Sequence, residues 1–173
     1  IWMTGAIASF SSMAVAGREL SHTHDTFEIM MYRSVVGVMV VAAILTFSGK
    51  WQQISTAHLG LHLVRNSVHF AGQNLWFYAV GVIPLAQVFA LEFTKPIWVI
   101  LLSPLLLHER LTPTRALSAV IGFAGVLIVT RPGATAISPG IVAAAASAIF
   151  FALTTISTKK LTRYASIGCI VFW

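Results

Sequence analysis

Charged side chains are scarce in this chain, and their scarcity sets its broad class. Only 9% of its 173 residues are Asp, Glu, Lys or Arg, whereas 57% are hydrophobic. Soluble globular domains usually carry roughly 25% charged residues, so the composition excludes an ordinary soluble domain. Five apolar stretches long enough to cross a hydrocarbon layer fill the chain instead. We therefore predict an all-α fold, a polytopic transmembrane helical bundle in a lipid bilayer.

Cysteine and acidic residues are also few. A single cysteine, Cys169, excludes an internal disulfide and provides no cysteine cluster for a metal ion. The chain has 11 Lys and Arg residues against 5 Asp and Glu. These basic residues form no face with interleaved aromatic side chains, which argues against nucleic-acid binding. We predict no metal, no cofactor and no nucleic-acid partner, and we leave a homodimer open.

Start and stop signals divide the chain into six helices and the beginning of a seventh. The predicted helices span about 1–17, 27–48, 61–82, 84–107, 113–129 and 138–158, and another apolar segment covers 167–173. The connections between them leave no room for a soluble domain. Because both ends fall within apolar segments, we expect a fragment of a longer protein, with a truncated first helix.

The basic residues predict the orientation of the bundle. The loops joining helices two to three, four to five and six to seven carry seven Lys or Arg residues, and the other loops carry two. Basic loops remain in the cytoplasm, so we predict a multi-pass inner (plasma) membrane protein with a cytoplasmic N-terminus. The seven are Lys50, Arg65, Arg110, Arg115, Lys159, Lys160 and Arg163, and the two are Arg18 and Arg131.

A short motif occurs twice in the chain. Arg18-Glu-Leu-Ser21 follows helix one, and Lys159-Lys-Leu-Thr162 follows helix six. A short polar loop and an apolar run with an aromatic residue come after each copy. Because five helices separate the copies, the second would be inverted in the membrane, which is typical of inverted-repeat transporters.

The predicted fourth helix contains two ionisable residues near its middle. Glu92 and Lys95 are three positions apart, so one helix face would carry both and they could pair. Pro96 follows and removes one backbone hydrogen bond, which frees a carbonyl for a ligand or water. Ionisable groups at this depth usually mark a functional path. A self-neutralising structural pair is the alternative.

Helix three carries a polar stripe. Side chains with amide, imidazole and indole groups recur at helical spacing, which suits a small polar or aromatic metabolite. Hydrogen bonding between helices is the alternative role. Arg33, near the start of helix two, could reach the membrane surface or meet an anionic substrate at a cavity mouth. The candidate residues are His69, Gln73 and Trp76 on one face and Asn74 beside them.

Two other patterns indicate structure rather than chemistry. The segment with His22, His24, Asp25 and Glu28 resembles a metal cluster only superficially, because its spacing is not that of ligands on one helix face. The small-residue runs at 122–125 and 143–147 predict close approach of helices.

Three segments carry a family resemblance. Because of these segments, the chain resembles the EamA-like branch of the drug/metabolite transporter superfamily over nearly its whole length. In that family a proline lies midway along helix four, a Glu-Arg pair ends this helix, and a Gly-Val-rich fifth helix follows; Arg33 matches a family arginine. The segments are Pro84-Leu-Ala-Gln-Val-Phe-Ala-Leu-Glu-Phe-Thr-Lys-Pro96, Leu107-His-Glu-Arg-Leu111, and Gly122-Phe-Ala-Gly-Val-Leu-Ile-Val129 with Arg131-Pro132.

The resemblance implies ten helices in two inverted repeats of five around a central cavity. Residues 1–132 would be the first repeat, and residues 133–173 the start of the second. It also implies a secondary transporter of small metabolites or drugs that works by alternating access, and not an enzyme. Glu92 and Lys95 would contact the substrate or a coupling proton. A membrane-embedded enzyme and a channel subunit are the alternatives.

Overall fold

The parts of the chain that the structure describes are mostly helical, and no strand occurs among them. The computed structural model describes residues 2–107, 112–130 and 138–173, and it confirms the predicted all-α helical bundle. The helices are α1 (Trp2–Leu20), α2 (Thr26–Ser48), α3 (Leu59–Val82), α4 (Leu85–Glu92), α5 (Lys95–Leu107), α6 (Pro113–Thr130), α7 (Pro139–Leu161) and α8 (Ile167–Phe172), with a 3₁₀ turn at Trp51–Gln53.

Some sequence predictions fall outside the described residues. The Glu109-Arg110 pair, the Arg131-Pro132 stop signal and the repeat boundary between residues 132 and 133 all do so. The division into two repeats therefore stays a prediction.

Three segments are long and apolar enough to cross a membrane, judged by length and composition among the described residues. They are Thr26–Ser48, Leu85–Leu107 and Pro139–Leu161. This number is lower than the five stretches predicted from the sequence. α1 and α3 are helices of 19 and 24 residues, and the polar stripe makes α3 less apolar. The apolar part of α6, Ala116–Ile128, is shorter.

The predicted fourth helix is interrupted near its middle, where Pro96 was expected to weaken it. α4 ends at Glu92, a turn follows at Phe93 and Thr94, and α5 begins at Lys95. Pro96 has no N–H to donate to the Glu92 carbonyl, which weakens the helix at this point. The Thr94 backbone N–H and hydroxyl both donate to the Leu91 carbonyl, at 3.0 and 2.6 Å. The chain therefore forms two half-helices with the ionisable residues at the break.

The core lies where α3 packs against α7, with α1 and α4 alongside. Trp76 and Val88 are buried at its centre. Gly72 allows close approach, since a Cβ there would lie 3.0 Å from the Cβ of Phe150. Ala143, Ala144 and Ser147 of α7 are also buried, as the small-residue run predicted.

The other small-residue run does not mediate close packing. A Cβ at Gly122 or at Gly125 would meet nothing within 4 Å. Both glycines instead line an apolar groove between α6 and the α4–α5 pair. The prediction of close helix approach was therefore wrong for this run, because no neighbouring helix among the described residues fills the space.

The two copies of the short motif adopt similar local structures. The Ser21 hydroxyl donates to the Arg18 carbonyl at 2.7 Å, and the Thr162 hydroxyl donates to the Lys159 carbonyl at 2.8 Å. Four residues after each hydroxyl, a side chain caps the next helix. Asp25 accepts from two backbone N–H groups of α2, and Ser166 accepts from the N–H of Cys169 in α8. The similarity thus extends beyond the four matched residues.

Candidate functional site

A cavity of ≈ 390 Å³ with a partly polar lining lies among six helices, next to the break between α4 and α5. Cavities of this size accommodate small molecules. Its wall combines ionisable, amide and aromatic side chains with small residues of α1. The lining residues are Ala6, Ser9, Phe10, Met13, Arg33, His69, Gln73, Trp76, Phe77, Glu92, Lys95 and Phe151.

Trp76 and Glu92 connect α3 to the end of α4. The indole Nε1 of Trp76 donates to Glu92 Oε2 at 2.8 Å. Trp76 is only 2% exposed, whereas Glu92 is half-buried beside the cavity. The hydrogen bond partly compensates the carboxylate for lost water. It also fixes one carboxylate oxygen at the cavity wall.

Lys95 is not paired with Glu92 in the way the sequence suggested. No ion pair joins the two side chains, although both line the cavity. The Lys95 Nζ instead lies 5.9 Å from the centre of the Phe151 ring in α7, within the range of a cation–π contact. The break in the helix accounts for the difference, because two residues on separate half-helices lose the fixed three-residue spacing.

Three other predicted residues reach the same cavity from two helices. Arg33 comes from α2, and His69 and Gln73 come from successive turns of α3. His69 and Gln73 are half-buried. The Nδ1 atom of His69 is buried and has no hydrogen-bond partner. Such an atom is available to a ligand or to water.

Asn74 lies apart from these residues. It does not line the cavity, and its side-chain amide donates to the Phe70 carbonyl of its own helix at 3.0 Å. Six of the seven predicted residues therefore meet at one cavity, and Asn74 does not. Whether any of them binds a ligand stays a prediction.

The sequence prediction missed the aromatic residues on the other walls. Phe10 of α1 packs on Trp76, with 5.5 Å between ring centres. Phe151 of α7 lies 5.8 Å from the His69 ring. The offset of 141 residues that relates Arg18 to Lys159 also relates Phe10 to Phe151. Extending the short repeat backwards along both helices could have identified the pair.

Positive charge predominates around His69. Arg65, Arg33 and Lys95 all lie close enough to act electrostatically on its imidazole. Arg65 is held by other groups, since its Nη1 donates to Asn66 Oδ1 at 2.9 Å and to the Ile170 carbonyl at 3.1 Å. Glu92 is the one acidic residue in the cavity lining. The described part of the cavity therefore carries excess positive charge.

The loop that resembles a metal cluster has a structural role. Asp25 accepts from the N–H groups of Phe27 and Glu28 at 2.7 and 3.0 Å, and the Glu28 carboxylate accepts from the N–H of Asp25. This capping box begins α2. Within the described parts of the chain, no group of three or more His, Cys, Asp or Glu residues is arranged to hold a metal ion.

Known proteins provide an independent comparison. The riboflavin transporter of Brucella anthropi is 33% identical over 136 residues, which cover 79% of this chain and 48% of that protein. The S-adenosylmethionine uptake transporter of Rickettsia bellii is 24% identical over 99% of this chain and 59% of its own length. The pseudopaline exporter CntI of Pseudomonas aeruginosa is 28% identical over 95% of this chain and 58% of its own length. No solved structure matches.

The chain spans about half to three-fifths of the length of these relatives, all of which are named as transporters of small metabolites. Residues 1–131, which are most of the chain, match the sequence pattern of the EamA-like transporter family. Together with the apolar helices, this match identifies a multi-pass membrane protein. The chain belongs to the EamA-like transporter family.

Proposed function

We propose that the chain forms part of a secondary transporter of small metabolites and that the cavity beside Glu92 is its substrate site. The single observation that carries this proposal is the meeting of Glu92, Lys95 and Trp76 at an interrupted helix that borders a partly polar cavity. Discontinuous helices commonly form substrate and ion sites in transporters, because their ends present backbone groups that a continuous helix would satisfy internally.

The lining suits a substrate that has both a flat ring and polar groups. Phe10, Trp76 and Phe151 offer ring surfaces, while Gln73 and Glu92 offer hydrogen-bonding groups. Relatives named for riboflavin and S-adenosylmethionine make a heteroaromatic metabolite a reasonable first class to test. Aromatic walls with a few polar groups are typical of small-molecule sites.

Transport would proceed by alternating access. Rocking of one repeat against the other would expose the cavity first to one side of the membrane and then to the other. α3 and α7 pack closely, and they belong to different predicted repeats. Movement at this interface would therefore change access to the cavity between them. In this proposal the protein is not an enzyme. The Lys and Arg residues of the loops predict an inner-membrane location with a cytoplasmic N-terminus.

The cavity can be tested by filling it in the full-length protein. Ala6 lines the cavity, whereas Ala8 is an exposed residue of the same helix outside the lining. In vesicles loaded with a panel of heteroaromatic metabolites, Ala6→Phe should abolish the exchange of any transported compound, and Ala8→Phe should not. Equal activity of the two variants would contradict the assignment of the cavity as substrate site.

A further inference from the structure

We propose that the cavity selects organic anions, with a carboxylate of the substrate bound near Arg33, His69 and Lys95 and its flat ring bound against the aromatic walls. This inference rests on the proposed transport function and specifies the substrate class of the same cavity. The balance of charge at the site supports it.

The cavity lining contains two permanent cations and one carboxylate. Arg33 and Lys95 come from α2 and α5, and Glu92 comes from the end of α4. Among the described acidic residues, none forms an ion pair with Arg33 or Lys95. A third cation, Arg65, stands near His69, with part of its guanidinium already bonded to Asn66 and Ile170.

Glu92 neutralises only part of this charge, because it interacts electrostatically with Lys95 without forming an ion pair. Its Oε2 accepts the Trp76 indole N–H at 2.8 Å, and Lys95 lies over the Phe151 ring instead of pairing with it. Positive charge left unpaired at membrane depth is costly, and such residues usually face a partner or a water-filled path. An anionic group of the substrate would supply the missing partner.

The hydrogen-bond donors and the aromatic rings of the cavity lie close enough together for one substrate molecule to contact both. Arg33 offers the planar fork of donors that matches a carboxylate, and the buried Nδ1 of His69 lacks a partner. Phe151 lies beside both His69 and Lys95, with its ring 5.8 Å from the His69 ring and 5.9 Å from the Lys95 Nζ. A ring beside Phe151 would therefore place an attached carboxylate among the donors.

Three ligands with one ring and different charge test this inference. The probes are 2-naphthoate, 2-naphthamide and 2-naphthylmethylamine, which are anionic, neutral and cationic at neutral pH. Binding to the full-length protein in detergent is measured by isothermal titration calorimetry. We expect the acid to bind about tenfold more tightly than the amide, as hydrogen bonds to a charged group predict, and the amine to bind most weakly.

The variants identify the source of the selectivity. Arg33→Gln and Lys95→Gln should each reduce the affinity for the acid about tenfold and leave the amide unchanged. Lys160→Gln is the matched control, because it removes one positive charge from the exposed end of α7. The two variants lie on different helices, so the test remains informative if one of them fails to fold.

The outcomes separate the two proposals. If the protein transports a metabolite that Ala6→Phe blocks, but the three probes bind equally or the amine binds best, the anion inference is overturned and the transport proposal stands. Loss of affinity for acid and amide alike in both variants also overturns it. If no metabolite is transported and no probe binds, both proposals fail.

Discussion

Trp76 and Glu92, sixteen residues apart, are joined by a hydrogen bond of 2.8 Å from the indole Nε1 to a carboxylate oxygen. The bond holds the end of the half-helix α4 against the middle of α3. It therefore connects the core of the bundle to the break at which the cavity lies.

Replacing Trp76 by Phe should destabilise the protein while keeping an aromatic ring in the core. The change removes the donor to Glu92 and leaves a half-buried carboxylate oxygen without its partner. We expect the free energy of unfolding to fall by about 2 kcal/mol, measured by denaturation in detergent. Trp51→Phe is the control, because its indole bonds only to the exposed Thr46 hydroxyl at 3.2 Å. Equal effects of the two changes would argue against a stabilising Trp76–Glu92 bond.

Replacing Glu92 by Gln should impair transport more than it impairs folding. The glutamine carbonyl can still accept the Trp76 N–H, but an NH₂ donor replaces the other carboxylate oxygen, so the cavity loses a hydrogen-bond acceptor for the substrate or a coupling proton. We expect the rate of substrate exchange in vesicles to fall at least tenfold, equivalent to about 1.4 kcal/mol, with little change in the unfolding midpoint. Glu19→Gln, at an exposed helix end, should leave both quantities unchanged. Full exchange activity of Glu92→Gln over a range of pH would show that the carboxylate is dispensable.

Replacing Gly140 by Ala should disturb the contact between α7 and the end of α3. A Cβ at this position would lie 2.6 Å from methyl carbons of both Val82 and Ile83. These branched side chains cannot easily move away, so we expect a loss of about 1–3 kcal/mol in unfolding free energy. Gly122→Ala, in open space, should instead be neutral or stabilising by up to about 1 kcal/mol. Thermal unfolding in detergent distinguishes the two.

Replacing Arg18 by Lys should weaken the attachment of α1. The Arg18 Nε donates to the Val80 carbonyl at 2.9 Å, and its Nη2 donates to the Ile83 carbonyl. A lysine keeps the charge but lacks the planar fork that serves both carbonyls. We expect a loss of about 1–2 kcal/mol in unfolding free energy. The exposed substitution Arg163→Lys should change it little, and a similar loss at both positions would contradict a specific role for Arg18.

Cysteine labelling tests the predicted orientation. In a Cys169→Ser background, His22→Cys and Lys50→Cys place single thiols in exposed loops at opposite predicted faces. A membrane-impermeant maleimide added to intact spheroplasts should label the first but not the second. After permeabilisation it should label both. The reverse pattern would place the N-terminus outside the cytoplasm.

Local signals predicted most of the helices well because they act over a few residues. Asp25 and Ser166 cap α2 and α8 where the sequence placed helix starts. Pro96 was expected to weaken helix four, and the chain does break there. The division into two separate helices was not predicted. It depends on the hydrogen bonds from Thr94 to the Leu91 carbonyl and on what packs around the turn.

The site was only partly predictable for a different reason. His69, Gln73 and Trp76 share a helix, so their spacing alone places them on one side. Glu92 and Lys95 were expected on one face of helix four, close enough to pair, because a continuous helix was assumed. Asn74 was included among the candidate residues because it lies beside them in the sequence. Its amide instead donates a hydrogen bond to a carbonyl of its own helix. Phe10 and Phe151 carried no polar signal that distinguishes them from core residues.

The sequence by itself determined the membrane class, the helical bundle and the polar stripe of α3, because composition and helical periodicity are local properties. Only the tertiary structure decided that Trp76 binds Glu92, that Lys95 turns to Phe151, and that six candidate residues share one cavity. Those relationships join residues from different helices. They depend on where the helices pack and where one of them breaks, and no short sequence pattern specifies either.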